Sequence, residues 1–190
     1  FCYQLFHPDF GFWMGATPET LIRSHPQEGY ETMALAGTKP DDDAIHWTQK
    51  EEQEQAFVKN EIVDVLTKVL AKNVTVEDRT HKKAGKVVHL MNRILFDISD
   101  NQVGQLLQQL HPTSAVCGIP KTDAKKYIDH HEKIDRQLYA GFLGPVLNNN
   151  VDLFVNLRCM QVFRNGVQLY LGGGITKDSQ PEKEWEETVL

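Results

Sequence analysis

The sequence predicts an α+β fold with a largely antiparallel sheet. Short strand patterns recur between turn signals at His7-Pro8-Asp9, Pro26–Gly29 and Asn165-Gly166. Helical patterns interrupt these runs singly instead of alternating with each strand. Composition is ordinary for a globular chain, with 190 residues, 41% hydrophobic and 24% charged. A chain of this length buries enough surface to need no disulfide staples.

Residues 1–38 read as four short strands, at 1–6, 10–16, 20–24 and 30–36. Asp41-Asp42-Asp43 is expected to be polar loop. From 49 to 72 the period changes. Val58, Ile62, Val65 and Val69 recur at spacings of 4, 3 and 4, which is one face of a helix. Residues 73–86 are polar and are expected to be loop, and 87–98 a strand. Helices are expected at 101–110, stopped by His111-Pro112, and at 122–139. Strands follow at 141–147, 152–163 and 167–171. A last helix over 179–190 opens with a Ser179-x-x-Glu182 capping box and Pro181 in its first turn. No internal repeat or domain boundary is visible. The chain starts within an apolar run (Phe1, Tyr3, Leu5, Phe6) and ends within a helical pattern, as expected of a piece cut from a longer protein.

Charge and composition exclude several functions. Lys and Arg number 20 against 26 Asp and Glu, a net charge of −6. No basic face offers itself to phosphates, so nucleic acid is not the expected partner. The apolar runs are too short to span a membrane, and no basic segment precedes one as a signal peptide requires. Cys2, Cys117 and Cys159 are odd in number and widely spaced, which fits neither a zinc site nor a redox pair. A cytoplasmic location is the expectation.

Carboxylate placement is more telling. Glu51 and Glu54 stand i, i+3 on the long helix, and steps of four from Glu54 reach Val58 and Ile62, so both acids lie near the buried face. An ionised carboxylate there is costly unless a cation or donors satisfy it; alternatively the first turn lies at the rim, where acids suit the helix dipole. Glu184 and Glu187 repeat the spacing on the last helix, flanking Trp185, which is expected to be buried. Two such helices would present oxygen ligands suited to Mg²⁺ and not to zinc; the competing reading is a solvated acidic face. Arg158 lies in the strand pattern 152–163, with Phe154 and Leu157 on opposite parities. An Arg covered on both faces needs a partner, either an internal carboxylate or one on a substrate. His89 falls in an apolar strand, where a satisfied core histidine is the default, while His130 and His131 point apart on a helix. Gly172-Gly173-Gly174 follows a strand, as a tight exit or as backbone N–H groups open to an anion.

Nine segments taken in order carry a resemblance. They are Gly15-Ala-Thr-Pro-Glu19, Leu35-Ala-Gly-Thr38, Lys50-Glu-x-x-Glu54, His89-Leu90, His111-Pro-Thr-Ser-Ala-Val-Cys-Gly-Ile-Pro-Lys121, Asp135-Arg-x-x-Tyr-Ala-Gly141, Asn156-Leu-Arg158, Gly172-Gly-Gly-Ile175 and Ser179-x-Pro-Glu-x-Glu-Trp-Glu-Glu-Thr188. From about residue 12 to its end the chain resembles the chorismate-utilising enzymes: isochorismate and salicylate synthases and the first components of anthranilate and aminodeoxychorismate synthases. The resemblance implies that residues 1–190 are the C-terminal part of one chorismate-binding catalytic domain. It implies antiparallel sheets enclosing the active site with helices packed outside, chorismate as substrate and Mg²⁺ as cofactor. It makes Glu19 the general acid. Glu54 and Glu187 become metal ligands, with Glu51 and Glu184 behind them or on metal-bound water. Tyr139, Arg158 and the backbone at Gly172, Gly173 and Gly174 bind substrate oxygens, and Gly37, Thr38 and His89 line the pocket. Gln55 departs from the His that many members carry after the metal-binding Glu. None of the chain's lysines matches the family's general-base lysine, which falls upstream of Phe1, so the chain alone is expected to be inactive. Ala115 stands where ammonia-using and salicylate-forming members tend to have Thr, which favours the isochorismate branch and argues against a glutaminase partner.

Overall fold

A computed structural model of the chain describes residues 1–41, 45–148 and 150–189, apart from the side chain of Glu187. Part of the loop at Asp41-Asp42-Asp43, like Leu190, lies outside the described residues. The fold is the predicted mixture of antiparallel sheets and single helices. Twelve strands are present among the described residues: β1 (Cys2–His7), β2 (Gly11–Ala16), β3 (Thr20–His25), β4 (Gly29–Pro40), β5 (Lys72–Val76), β6 (Thr80–Ala84), β7 (Val87–Asp97), β8 (Phe142–Leu143), β9 (Val146–Leu147), β10 (Asn150–Val155), β11 (Cys159–Phe163) and β12 (Gly166–Tyr170). The helices are α1 (Gln49–Lys68), α2 (Val103–Leu110), α3 (Ser114–Cys117), α4 (Lys121–His131) and α5 (Pro181–Val189).

The strands form two sheets. The smaller runs β1-β2-β11-β12, and the larger β5-β7-β4-β3-β10-β8, with β6 also on β7 and β9 on β10. The long antiparallel partners β4 and β7 are its spine, pairing from Tyr30↔Phe96 to Pro40↔Val87. One face of this sheet is apolar. Ala34, Ile94 and Phe96 pack there against Val58, Ile62, Val65 and Leu66 of α1 and Leu106 and Leu110 of α2. The spacing of apolar residues on α1 is therefore the imprint of its burial. Gln55 belongs to this face too, and its amide donates to Asn92 Oδ1 at 2.5 Å. The opposite face of the sheet is polar. Glu31, buried on β4, bonds Arg93 and lies 3.3 Å from Arg23 and 3.1 Å from His25. Further along that face, His89 lies opposite Thr38 on one side and Lys82 on the other.

Four local expectations are corrected. Residues 73–86 are not loop: they hold β5 and β6, both laid on the edge of β7. An edge strand exposed to water carries little apolar pattern, and its lysines suit that position. The helix expected over 122–139 ends at His131. Beyond it Gln137 and Ala140 take left-handed backbone, with φ of 45° and 60°. The strand expected over 152–163 breaks into β10 and β11, and Arg158 sits in the link with φ 48°. The break is fixed by Asn156, whose buried amide donates to the Leu138 carbonyl at 2.8 Å while its oxygen accepts from the Tyr3 hydroxyl at 2.7 Å. Trp185 is 71% exposed, because it is Glu184 that turns inward on that helix.

Candidate active site

The link from β2 to β3 carries Thr17-Pro18-Glu19. Thr17 donates from its hydroxyl to the Val155 carbonyl, and the Glu19 carbonyl accepts from the Val155 N–H at 3.0 Å. These bonds draw Glu19 under β10, where it is 3% exposed. Burial raises its pKa from 4.5 to about 8, and the charge of Lys82 pulls the other way. A carboxyl in this state keeps its proton at neutral pH and can donate it.

On the polar face of the large sheet, four residues form a chain. The Arg158 guanidinium donates to the Ala84 carbonyl at 2.8 Å and to His89 Nε2 at 2.9 Å. Because Nε2 accepts, the proton of a neutral ring sits on Nδ1. Nδ1 is 3.3 Å from the Gly37 carbonyl and 3.1 Å from the Thr38 hydroxyl. Burial and the nearby Arg158 charge push the His89 pKa down to about 4, so the ring is neutral near pH 7. Gly37 reaches this position through a bulge in β4 with φ 74°, where a β-carbon would lie 3.1 Å from that of Glu51. Among the described residues no carboxylate pairs with Arg158. Its partners are neutral acceptors, the backbone beneath it is pinned by the Ala16 N–H at 3.1 Å, and the residue is exposed. Of the two partners expected for Arg158, the internal carboxylate is not found among the described residues, and the side chain is oriented and open to an anion.

The acidic helices meet at a third place. Lys50 Nζ lies 2.5 Å from Glu184 Oε1 and 3.8 Å from Glu54 Oε1. The glycine run crosses here. A β-carbon at Gly173 would stand 3.9 Å from Glu184 Oε2, and one at Gly174 3.9 Å from Glu54 Oε1. At Gly172 it would fall 2.7 Å from the Tyr139 hydroxyl. Contact requires glycine at position 172, beside Tyr139, while the next two positions run past the carboxylates at ordinary contact distance. Glu51 is close enough to act on the charge of Glu184, but its own carboxylate closes the capping box of α1, accepting from the Thr48 N–H at 2.7 Å. The Glu187 side chain lies outside the described residues. Among those described, no three acidic, histidine or cysteine groups gather as a metal cage. The converging pair Glu54 and Glu184 nonetheless fits Mg²⁺, which takes one or two carboxylates and completes its shell with substrate and water oxygens.

Ala115, on the short α3, packs partly buried against the main core, and the segment is tied to α1 by the Ser114 N–H donating to Glu61 at 2.7 Å. Sequence reasoning missed two cations. Lys82 stands beside Glu19 and His89, and Lys50 stands between Glu54 and Glu184. The i, i+4 spacing of Lys50 and Glu54 was a signal for the second. The first had none, since β6 read as loop.

Comparison with known proteins bears on this arrangement. A family model described as chorismate binding enzyme matches residues 2–190. The chain is 31% identical to isochorismate synthase MenF of Escherichia coli (strain K12), over 97% of the chain and 44% of the relative. It is 34% identical to the salicylate biosynthesis isochorismate synthase of Pseudomonas aeruginosa, over 94% of the chain and 40% of the relative. A crystal structure from Bacillus anthracis, described as a 2,3-dihydroxybenzoate-specific isochorismate synthase, DhbC, superposes with a TM-score of 0.86 at 28% identity, covering 99% of the chain and 54% of that structure. The chain spans about half the length of the relatives it matches.

Proposed function

The chain belongs to the chorismate-binding enzyme family, and from that premise we propose that it supplies the acid, the anion-binding arginine and the metal carboxylates of an isochorismate synthase. In this reaction water adds to one end of the ring diene of chorismate, both double bonds shift, and the hydroxyl on the carbon next to the diene's other end leaves. The leaving oxygen needs a proton, and the water must lose one. The observation that carries the reading is Glu19, a buried carboxyl that holds a proton at neutral pH. It would protonate the departing hydroxyl, which leaves as water. Arg158, aimed by His89 and the Ala84 carbonyl, would take a substrate carboxylate through its planar fork. Tyr139 and the backbone at Gly172, Gly173 and Gly174 would bind remaining oxygens, with Gly37 and Thr38 at the ring. Glu54, Glu184 and, by resemblance, Glu187 would hold Mg²⁺, with Glu51 behind them. The ion would neutralise a substrate carboxylate and fix the ring. Ala115 supports water over ammonia as nucleophile, and with it independence of a glutaminase partner.

The test uses the full-length protein with chorismate and Mg²⁺, with and without ammonium, and separates products by chromatography and mass. Isochorismate in both conditions is expected. Anthranilate or aminodeoxychorismate formed only with ammonium would overturn the branch while leaving the fold and the acid in place.

A further inference from the structure

We propose that Lys50 is an internal counter-ion that occupies the divalent cation's place between Glu54 and Glu184 and is exchanged for the metal when it binds. The inference rests on the metal site proposed above. Its ground is the geometry of one ammonium between two carboxylates from distant parts of the chain, at 2.5 Å and 3.8 Å. Glu184 is 8% exposed, and two carboxylates brought together away from water repel unless a cation lies between them. Mg²⁺ requires oxygen ligands at about 2.0–2.1 Å. An ion so placed would meet the Lys50 charge within van der Waals range, so both cannot stay. The four-carbon stem of lysine lets the ammonium leave without moving the helix. Lys50 also links α5 to α1 through Glu184. The exchange thus has two consequences. Lys50 weakens the apparent metal affinity, and it keeps α5 docked before metal arrives.

The experiment titrates Mn²⁺ into full-length wild type, K50M, K50Q, K50R, E54Q and E184Q, following bound ion by electron paramagnetic resonance. Hydrogen exchange over residues 181–189 is read in parallel, with and without Mn²⁺. Removing a charged hydrogen bond that competes with the ion is expected to tighten Mn²⁺ binding about tenfold in K50M and K50Q. In those variants α5 should exchange faster without metal and recover with it, while wild type and K50R stay protected in both states. Unchanged or weaker Mn²⁺ binding in both neutral variants, with E54Q and E184Q losing the ion, overturns the exchange and leaves the metal site standing. Equal protection of α5 in metal-free K50M and wild type overturns the docking role. Wild-type Mn²⁺ binding in E54Q and E184Q overturns the metal site, and the proposal with it.

Discussion

Glu19 shows how one residue can couple stability to chemistry. Its folded pKa of about 8 stands above the ordinary 4.5 because burial penalises the charge more than Lys82 relieves it. Between those two values the folded state holds a proton that the unfolded state has lost. Stability contributed at this position is therefore full below about pH 4.5 and is lost as pH rises toward 8. Glu19→Gln cannot ionise and should escape the loss. Thermal melts of the two proteins across pH should show the variant gaining on wild type from pH 4.5 to 8 and running parallel above. A constant offset at all pH values would mean the carboxyl is ionised in the fold. In the full-length enzyme the same substitution should cost about 10²–10⁴-fold in kcat, the usual worth of a positioned general acid. His89 works differently. Neutral because it is buried, it spends both ring nitrogens on orientation, one toward Arg158 and one toward the Gly37–Thr38 bulge.

α1 announces itself because its apolar residues repeat with the period of the covered face, and the four N-terminal strands because turn signals separate them. β5 and β6 stayed hidden because both are polar edge strands. The split between β10 and β11 stayed hidden because Asn156-Leu157-Arg158 has neither Gly nor Pro, and what breaks the strand is a buried amide reaching residues 3 and 138. The site was legible only as an ordered set of motifs. Burial of Glu19 and the presence of Lys82 beside it depend on contacts between distant segments, which no spacing reports. The glycine run can now be assigned a mechanical reason at its first position. A β-carbon at Gly172 would lie 2.7 Å from the Tyr139 hydroxyl but 3.8 Å from its Cζ. Gly172→Ala is therefore expected to cost about 1–3 kcal/mol of overpacking. Tyr139→Phe removes the colliding oxygen and should rescue most of that loss in the double variant. Additive losses in a double-mutant cycle of denaturant midpoints would show that the two residues do not press on each other.

At the scale of the molecule, two sheets and one long helix bring together the residues that the proposed reaction would use, apart from its base. Acid, arginine and carboxylates come from segments as far apart as residues 19, 54, 158 and 184, so the site exists only once both sheets have closed. By resemblance none of the chain's lysines is the base, while the charge of Lys82 acts on Glu19. Lys82 is also held below its ordinary pKa, mainly by burial, the direction in which a lysine base is tuned. The two possibilities separate cleanly in the 190-residue chain itself. If the base must come from outside this sequence, the purified chain with Mg²⁺ should leave chorismate unconsumed, and Lys82→Met in the full-length enzyme should keep measurable turnover. That is the expected result, since the charge of Lys82 already acts on Glu19 and would steady the carboxylate left there after proton transfer. Turnover by the 190-residue chain, abolished by Lys82→Met, would instead make Lys82 the base and place the whole acid–base pair on the strands described here.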